Sequence, residues 1–217
     1  MENPLQNYWR LRLERTQAAL AENNFEVFLA TTTQQAAETA LLQIIPASKA
    51  VSVSWGGSMT FVTSGLYDRI KAQEELEIID TFDKSLDAAA SLERRRQALL
   101  ADLFITGANA ITEKGQLVNL DMYGNRVAGL TFGPKHVIVM AGRNKIVPDL
   151  QAAMNRIKAI AAPANTMRLD KKTPCVKTGV CQECKSPDRI CNVWTITEKS
   201  FPKGRIKVIL IDDELGL

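Results

Sequence analysis

Short apolar segments alternate with helix-length segments along most of this chain, and that alternation restricts the fold more than any other feature. DLFITG at 102–107 and HVIVMAG at 136–142 are nearly continuous apolar runs of strand length. Such runs are typical of parallel strands whose two faces are both covered by helices. Strands that alternate with helices indicate βαβ units. The sequence therefore predicts an α/β fold, with a mostly parallel sheet and flanking helices.

The remaining pattern extends this prediction over the whole chain. The other predicted strands are 25–30, 49–55, 76–80, 115–121, 193–198 and 205–214. Helices are predicted at 5–20, 31–45, 59–70, 86–101, 125–132 and 147–162. We divide the chain into an α/β ligand-binding domain at 1–162, a cysteine-rich loop at 163–191, and C-terminal strands at 192–217 that complete the same domain.

Composition excludes several classes of protein. The 217 residues suffice for one domain with an added segment, and the net charge of +3 is too small to indicate nucleic-acid binding. No apolar stretch approaches the length of a membrane span, and the first residues are charged, unlike a signal peptide. We therefore expect a cytoplasmic protein. Its only histidine, His136, opens a predicted strand, so a Ser-His-Asp triad is not expected.

All four cysteines of the chain lie within one short segment. Cys175, Cys181, Cys184 and Cys191 follow the pattern C-x5-C-x2-C-x6-C. In a reducing compartment, cysteines this close indicate a metal site more than disulfides. Four thiolates can bind one tetrahedral zinc ion or an iron–sulfur cluster, and the spacing leaves both open. Metal-free thiols or disulfides are the remaining alternative.

A glycine turn follows the predicted strand at 49–55. Gly56, Gly57 and Ser58 join that strand to a helix. Glycines let a ligand approach the backbone, and the N–H groups that begin a helix attract anions. The turn is predicted to bind an anion or phosphate, with a plain tight turn as the alternative.

Polar residues also concentrate after the strand at 102–107. Ligands of open α/β sheets bind at the carboxyl ends of the strands. Glu113 and Asp121 are candidate general bases. The predicted ligand-binding residues of this region and of the loop after 136–142 are Asn109, Asn119, Asn125, Arg126, Asn144 and Lys145. Turn formation around Gly115 and Gly124 is the alternative.

Several of these segments together resemble a known family. VSWGGSMT, the stretch from DLFITGANAIT to AGRNKIV, AAPAN and TPCVKTGVCQECKSPDRICN are similar to the lactate-utilisation (LUD) domain family, in particular to its short cysteine-bearing members related to lactate utilization protein C. The resemblance implies a NagB/RpiA/CoA-transferase-like fold. It also implies a link to the oxidation of lactate, alongside iron–sulfur partners. Isomerases of this fold carry a catalytic aspartate where this chain has Asn109, a departure that argues against isomerase chemistry.

Three functions fit these observations. The first is a component of lactate or organic-acid oxidation that binds a small anionic ligand, carries an iron–sulfur cluster for electron transfer and works with other subunits. The second is a stand-alone isomerase- or transferase-like enzyme on a phosphorylated or CoA-linked substrate, with structural zinc. The third is a ligand sensor without catalysis. A homodimer is compatible with all three.

Overall fold

A computed structural model describes residues 3–217 and contains a six-stranded parallel sheet. Its strand order is β1-β10-β7-β4-β2-β3. The strands are β1 (Glu26–Ala30), β2 (Ser52–Trp55), β3 (Glu77–Ile79), β4 (Leu103–Gly107), β7 (His136–Gly142) and β10 (Ile206–Ile211). All five pairings are parallel. The predicted α/β class with a parallel sheet is confirmed.

A second sheet of four short strands adjoins the first; the sequence predicted two of its strands, at 115–121 and 193–198, but not the sheet itself. Its order is β8-β5-β6-β9. The strands are β5 (Ala110–Thr112), β6 (Leu117–Asp121), β8 (Ile146–Val147) and β9 (Val193–Thr197). Strand β6 is antiparallel to both β5 and β9, whereas β5 and β8 are parallel. The predicted polar region therefore contains a hairpin, and the strand after the cysteine loop pairs with it.

Ten α-helical segments surround the sheets within residues 3–217. They are α1 (Pro4–Glu22), α2 (Thr33–Glu38), α3 (Ile45–Ser48), α4 (Met59–Thr63), α5 (Leu66–Lys71), α6 (Ala88–Gln97), α7 (Asn125–Thr131), α8 (Leu150–Arg156), α9 (Ala162–Arg168) and α10 (Pro174–Thr178). Turns of π-helix join α2 to α3 and α8 to α9. Side-chain oxygens cap several helices, as the short polar residues before them favour. These caps include Thr32, Asp87 and Asp149. Because Asp149 caps α8, this helix begins at Leu150, three residues later than the predicted start at residue 147.

Both faces of the large sheet are buried, which explains the apolar runs. Along β4, Leu103 and Ile105 pack in one cluster with α2, α4 and α5, and Phe104 packs in the other with α1 and α7. Strand β10 alternates in the same way, with Ile209 on the first face and Leu210 on the second. Successive side chains of a strand point to opposite faces, so a strand covered on both sides must be apolar throughout.

The C-terminal residues contribute to both sheets. Strand β9 is an edge of the small sheet, whereas β10 lies inside the large one, between β1 and β7. The parallel register brings the carboxyl ends of β2, β4, β7 and β10 to one edge of the large sheet, which we call the carboxyl edge. Within residues 3–217, no helix combines the length and the apolar character needed to cross a bilayer.

The buried face of β4 makes a matched test of the fold. Leu103 is 0% exposed, whereas Leu100, three residues earlier, is 86% exposed. Leu103→Ala should lower the free energy of unfolding by about 2 to 5 kcal/mol, because it leaves a cavity between sheet and helices. Leu100→Ala should change it by less than about 0.5 kcal/mol. Urea denaturation of both variants measures the difference, and equal effects would contradict the described burial.

Candidate functional site

The glycine turn lies against the loop that follows β4. A Cβ atom on Gly107 would come 2.6 Å from the Ser58 hydroxyl, and one on Gly56 would come 2.8 Å from the Arg126 Cγ atom. Both glycines are therefore needed for close approach. Ser58 caps α4, because its hydroxyl accepts a hydrogen bond from the Phe61 amide at 3.2 Å. The turn thus contributes packing and a cap at the carboxyl edge.

A network of hydrogen bonds joins the end of β4 to the small sheet. The backbone N–H of Asn109 donates to the Asn119 side-chain oxygen at 3.2 Å. The Asn109 side-chain oxygen accepts from the backbone N–H of Leu120 at 2.9 Å. Arg126 donates to the same Asn109 oxygen at 2.8 Å and to the Leu120 carbonyl at 3.0 Å. The sequence predicted these residues as a group, and the structure brings them together.

Asp121 is engaged by two donors at the end of β6. One of its carboxylate oxygens accepts from Arg126 Nε at 2.9 Å, and the other accepts from the Gly124 amide at 2.8 Å. The side chains of Asp121 and Arg126 are about one-tenth exposed. Gly124 has a φ of 86°, a conformation that favours glycine, and Asn125 follows it as the first residue of α7. Asp121 therefore holds Arg126 and this turn in place.

Glu113, the other candidate base, is also fully engaged. It lies in the β5–β6 hairpin, and its carboxylate accepts from Arg12 Nε at 2.6 Å and from Arg15. Both arginines belong to α1, so the ion pairs attach this helix to the hairpin. This geometry favours a structural role for Glu113, although its predicted role as a base stays a prediction.

Lys145 is the most unusual residue at the carboxyl edge. It lies in the 3-10 turn after β7, its side chain is 4% exposed, and its amine donates to the Thr60 hydroxyl at 2.9 Å. It forms no salt bridge within residues 3–217. Burial, and to a smaller extent the positive charges of Arg156 and Arg126, lowers the pKa of Lys145 to about 7.

Arg156 of α8 approaches the same edge, and the sequence did not single it out. Its guanidinium donates to the Asn144 carbonyl at 2.9 Å and to the Asn109 carbonyl at 2.7 Å, so it joins the loops after β4 and β7. Burial lowers the pKa of Arg156. Lys145 is thus a buried basic group beside two partly buried arginines, Arg126 and Arg156, and among the described residues only Asp121 forms a salt bridge with any of the three.

The C-terminal segment 213–216 covers part of this edge. Its Leu215 amide donates to the Asn144 side-chain oxygen at 3.2 Å, and the Leu215 carbonyl accepts from Thr60 at 3.3 Å. A Cβ atom on Gly216 would come 3.1 Å from the Lys145 amine. A ligand that reaches Lys145 must therefore displace this segment or bind beside it.

Two polar atoms of the small sheet have no hydrogen-bond partner. Asn119 Nδ2 is buried and unpaired within residues 3–217, and so is the Thr195 hydroxyl oxygen. The two residues face each other across β6 and β9. Since a buried polar group without a partner costs free energy, this position favours an additional polar partner next to the Asn109 network.

The four cysteines line one pocket, together with Thr166, Thr173, Arg189 and apolar residues of α9. The Cys175 sulfur lies 3.2 Å from the Thr166 hydroxyl and 3.1 Å from the Thr173 hydroxyl. Arg189 donates to the carbonyls of Cys184 and Cys191, each at 2.9 Å. No three His, Cys, Asp or Glu side chains of the described chain are close enough to share an ion. The thiols therefore face one pocket without forming a closed coordination shell.

A short connection links the cysteine loop to the carboxyl edge. The Asn192 amide donates to the Asp121 carbonyl at 2.9 Å, and the Asn192 side chain donates to the Met122 carbonyl at 3.2 Å. Asn192 directly follows Cys191. Cys191 therefore lies next to a residue that is hydrogen-bonded to the end of β6, where Asp121 binds Arg126.

Comparison with known proteins identifies the family. The sequence profile of the LUD domain matches residues 13–211. The chain belongs to the LUD domain family. Its fold is similar to that of a DUF162 family protein from Deinococcus radiodurans, with a TM-score of 0.52, 14% identity, and coverage of 94% of this chain and 98% of that chain. At this identity the likeness shows the fold alone. No curated protein matches the sequence.

Most of the predicted ligand-binding residues of this LUD domain thus lie at one edge. Three further residues there, Thr60, Arg156 and Thr195, were not predicted. Thr60 and Thr195 lie in a predicted helix and a predicted strand, where threonine is common. Arg156 lies in an amphipathic segment, where an arginine usually faces solvent. No signal in the sequence distinguished these three residues.

Lys145 should leave a measurable trace in the pH dependence of stability. Its pKa is about 7 when folded and near 10.5 when unfolded, so between these values the unfolded state binds more protons. The stability of the wild type relative to Lys145→Met should therefore rise with pH in that range, by up to about 1.4 kcal/mol per pH unit. Urea denaturation across this range measures the effect. Exposed Lys203→Met is the control, and a constant difference between wild type and Lys145→Met would contradict the described burial.

Proposed function

We propose that this LUD-domain protein is a subunit that takes part in the oxidation of lactate or a related organic acid. In this proposal it binds a small anionic ligand at the carboxyl edge and holds a metal centre in its cysteine loop. The observation that carries the proposal is the buried Lys145 amine, which has no carboxylate partner and lies near Arg126 and Arg156.

Basic groups with few acidic partners at this edge support an anionic ligand. A charge removed from water is costly unless an opposite charge or several hydrogen bonds compensate for it. Asp121 compensates Arg126, and backbone carbonyls accept from Arg156, but Lys145 has only a neutral hydroxyl. A carboxylate or phosphate group that met Lys145 would supply the missing charge.

The neighbouring groups support a ligand that also has neutral polar atoms. The unpaired Asn119 amide lies in the same network as Arg126, through Asn109. An amide donor next to cations suits a hydroxyl or carbonyl oxygen beside the anionic group. Hydroxy and oxo acids carry both groups, which agrees with the association of the family with lactate use.

The cysteine loop has the donor set of a metal centre. Its four thiols are the complete set for a tetrahedral zinc ion or a cubane iron–sulfur cluster, and they already face one pocket. Binding would draw the sulfurs together and order the loop, since metal affinity and folding are linked. An iron–sulfur cluster would supply one-electron transfer, whereas zinc would only hold the loop. We favour the cluster because electron transfer suits the oxidation of an organic acid.

The proposal does not use Glu113 or Asp121 as catalytic bases. Both carboxylates are engaged by arginines, which favours structural roles for them. The isomerase- or transferase-like alternative therefore has less support than ligand binding combined with electron transfer. A non-catalytic sensor would need the same ligand site without a cluster.

Sulfate binding tests the carboxyl edge, because sulfate stays ionised across the pH range in which Lys145 titrates. Sulfate should bind more tightly when Lys145 is protonated, so its affinity should fall about tenfold from about pH 6 to about pH 8. Lys145→Met should weaken binding and remove this pH dependence. Isothermal titration calorimetry measures both effects.

Lys203→Met serves again as the control and should bind sulfate like the wild type. Binding that is equal in wild type and Lys145→Met at every pH would refute the proposed role of Lys145.

Metal analysis tests the cysteine loop. Anaerobically purified protein should be brown and contain about four iron atoms and four sulfides per chain for a cubane cluster. A colourless protein with about one zinc per chain would indicate that the loop holds a structural zinc ion and no cluster. The variant with all four cysteines changed to serine should contain neither metal.

Lys185→Ala is the matched control, since Lys185 lies in the loop but has no thiol. It should retain the metal content of the wild type. Wild-type protein that lacks both iron and zinc after anaerobic purification would refute the metal centre.

A further inference from the structure

An open groove lies beside the cysteine loop, away from the residues predicted as ligand-binding. Three parts of the chain line it: α8 with the π-helical turn after it, the cysteine loop, and β9. The lining residues are Met154, Asn155, Lys158, Glu183, Arg189 and Trp194. Its volume is about 450 Å³, which falls in the range of small-molecule sites, about 300 to 1,000 Å³.

Trp194 provides a flat surface in this groove. It lies on the edge strand β9 opposite Leu120, and its side chain is 36% exposed. Within residues 3–217, no aromatic ring stacks on it, whereas Trp55 packs among Phe61, Tyr67 and Phe82. An indole with an open face stacks favourably on a planar ring, by about 1 to 3 kcal/mol for nucleic-acid bases.

The charges around Trp194 favour an anion. Lys158 is largely buried and pairs with Glu183 at 3.7 Å, and the Glu183 side chain is 82% exposed. Arg189 uses Nε and one terminal nitrogen for the cysteine carbonyls, which leaves its other terminal nitrogen available. Lys158 thus holds an exposed carboxylate weakly, so that a stronger anion can replace it, and Arg189 lines the same groove.

We propose that the groove binds a planar aromatic ligand that carries an anionic group, with the ring against Trp194 and the anion held by Lys158 and Arg189. Arg189 lines both the groove and the cysteine pocket, so the ligand lies one side chain from the sulfurs. The binding itself requires neither a metal nor the anion site at Lys145.

Two pairs of probes test the groove: riboflavin 5′-phosphate with riboflavin, and adenosine monophosphate with adenosine. At least one phosphorylated probe should bind saturably in equilibrium dialysis, and its unphosphorylated partner should bind about tenfold more weakly. Trp194→Leu and Lys158→Met should each weaken binding of the phosphorylated probe about tenfold. Glu183→Gln should strengthen it several-fold, since it releases Lys158, and misfolding does not explain a gain in affinity.

Two controls separate the groove from other sites. Phe132→Leu removes an aromatic side chain that is 84% exposed and outside the groove, and it should bind like the wild type. Lys145→Met should also bind like the wild type. The proposal is overturned if neither phosphorylated probe saturates at millimolar concentration, or if Trp194→Leu has no effect. Loss of binding in Lys145→Met would move the probe to the carboxyl edge, which overturns the groove but supports the anion site.

Discussion

The buried guanidinium of Arg126 holds the carboxyl edge together. It binds Asp121 at the end of β6 and Asn109 after β4, while its aliphatic part packs against Gly56 after β2. Three loops that are far apart in sequence are thereby fixed around one charge. Because a poorly solvated cation without its partner would be costly, the pairing with Asp121 stabilises this arrangement.

The cysteine loop and this edge share a junction in the backbone. Asn192 follows the last cysteine and hydrogen-bonds to the carbonyls of Asp121 and Met122, and Arg189 holds two of the cysteine carbonyls. The loop is therefore attached to the domain by these hydrogen bonds. Three sites lie within one continuous set of contacts: the sulfur pocket, the groove at Trp194, and the cations around Lys145. In this LUD domain, hydrogen bonds of Asn192 thus link the cysteine loop to the strand end at which Asp121 binds Arg126.

Local pattern predicted the large sheet because strands covered on both faces have a composition that little else shares. The same pattern missed the small sheet. Its strands Ala110–Thr112 and Ile146–Val147 have three and two residues, too few for an alternation to be visible. Among the site residues, Asn109, Arg126 and Lys145 were predicted from their positions after strands. The engagement of Glu113 was not, since its partner Arg12 is 101 positions away and nothing local connects the two. Arg156 was missed for a similar reason, because its helix gave no sign of facing a strand end.

The sequence by itself determined which segments form the large sheet and most of its helices, that this sheet is parallel, and that four thiols lie close together along the chain. These properties depend on neighbours in the chain, and composition and spacing record them. The tertiary structure alone decided which charges are compensated. It gave Glu113 and Asp121 arginine partners and left Lys145 with only the Thr60 hydroxyl. It also laid the C-terminal segment over that edge. Burial and long-range pairing determine whether a charged group is compensated by a partner. Both arise only when distant parts of the chain come into contact.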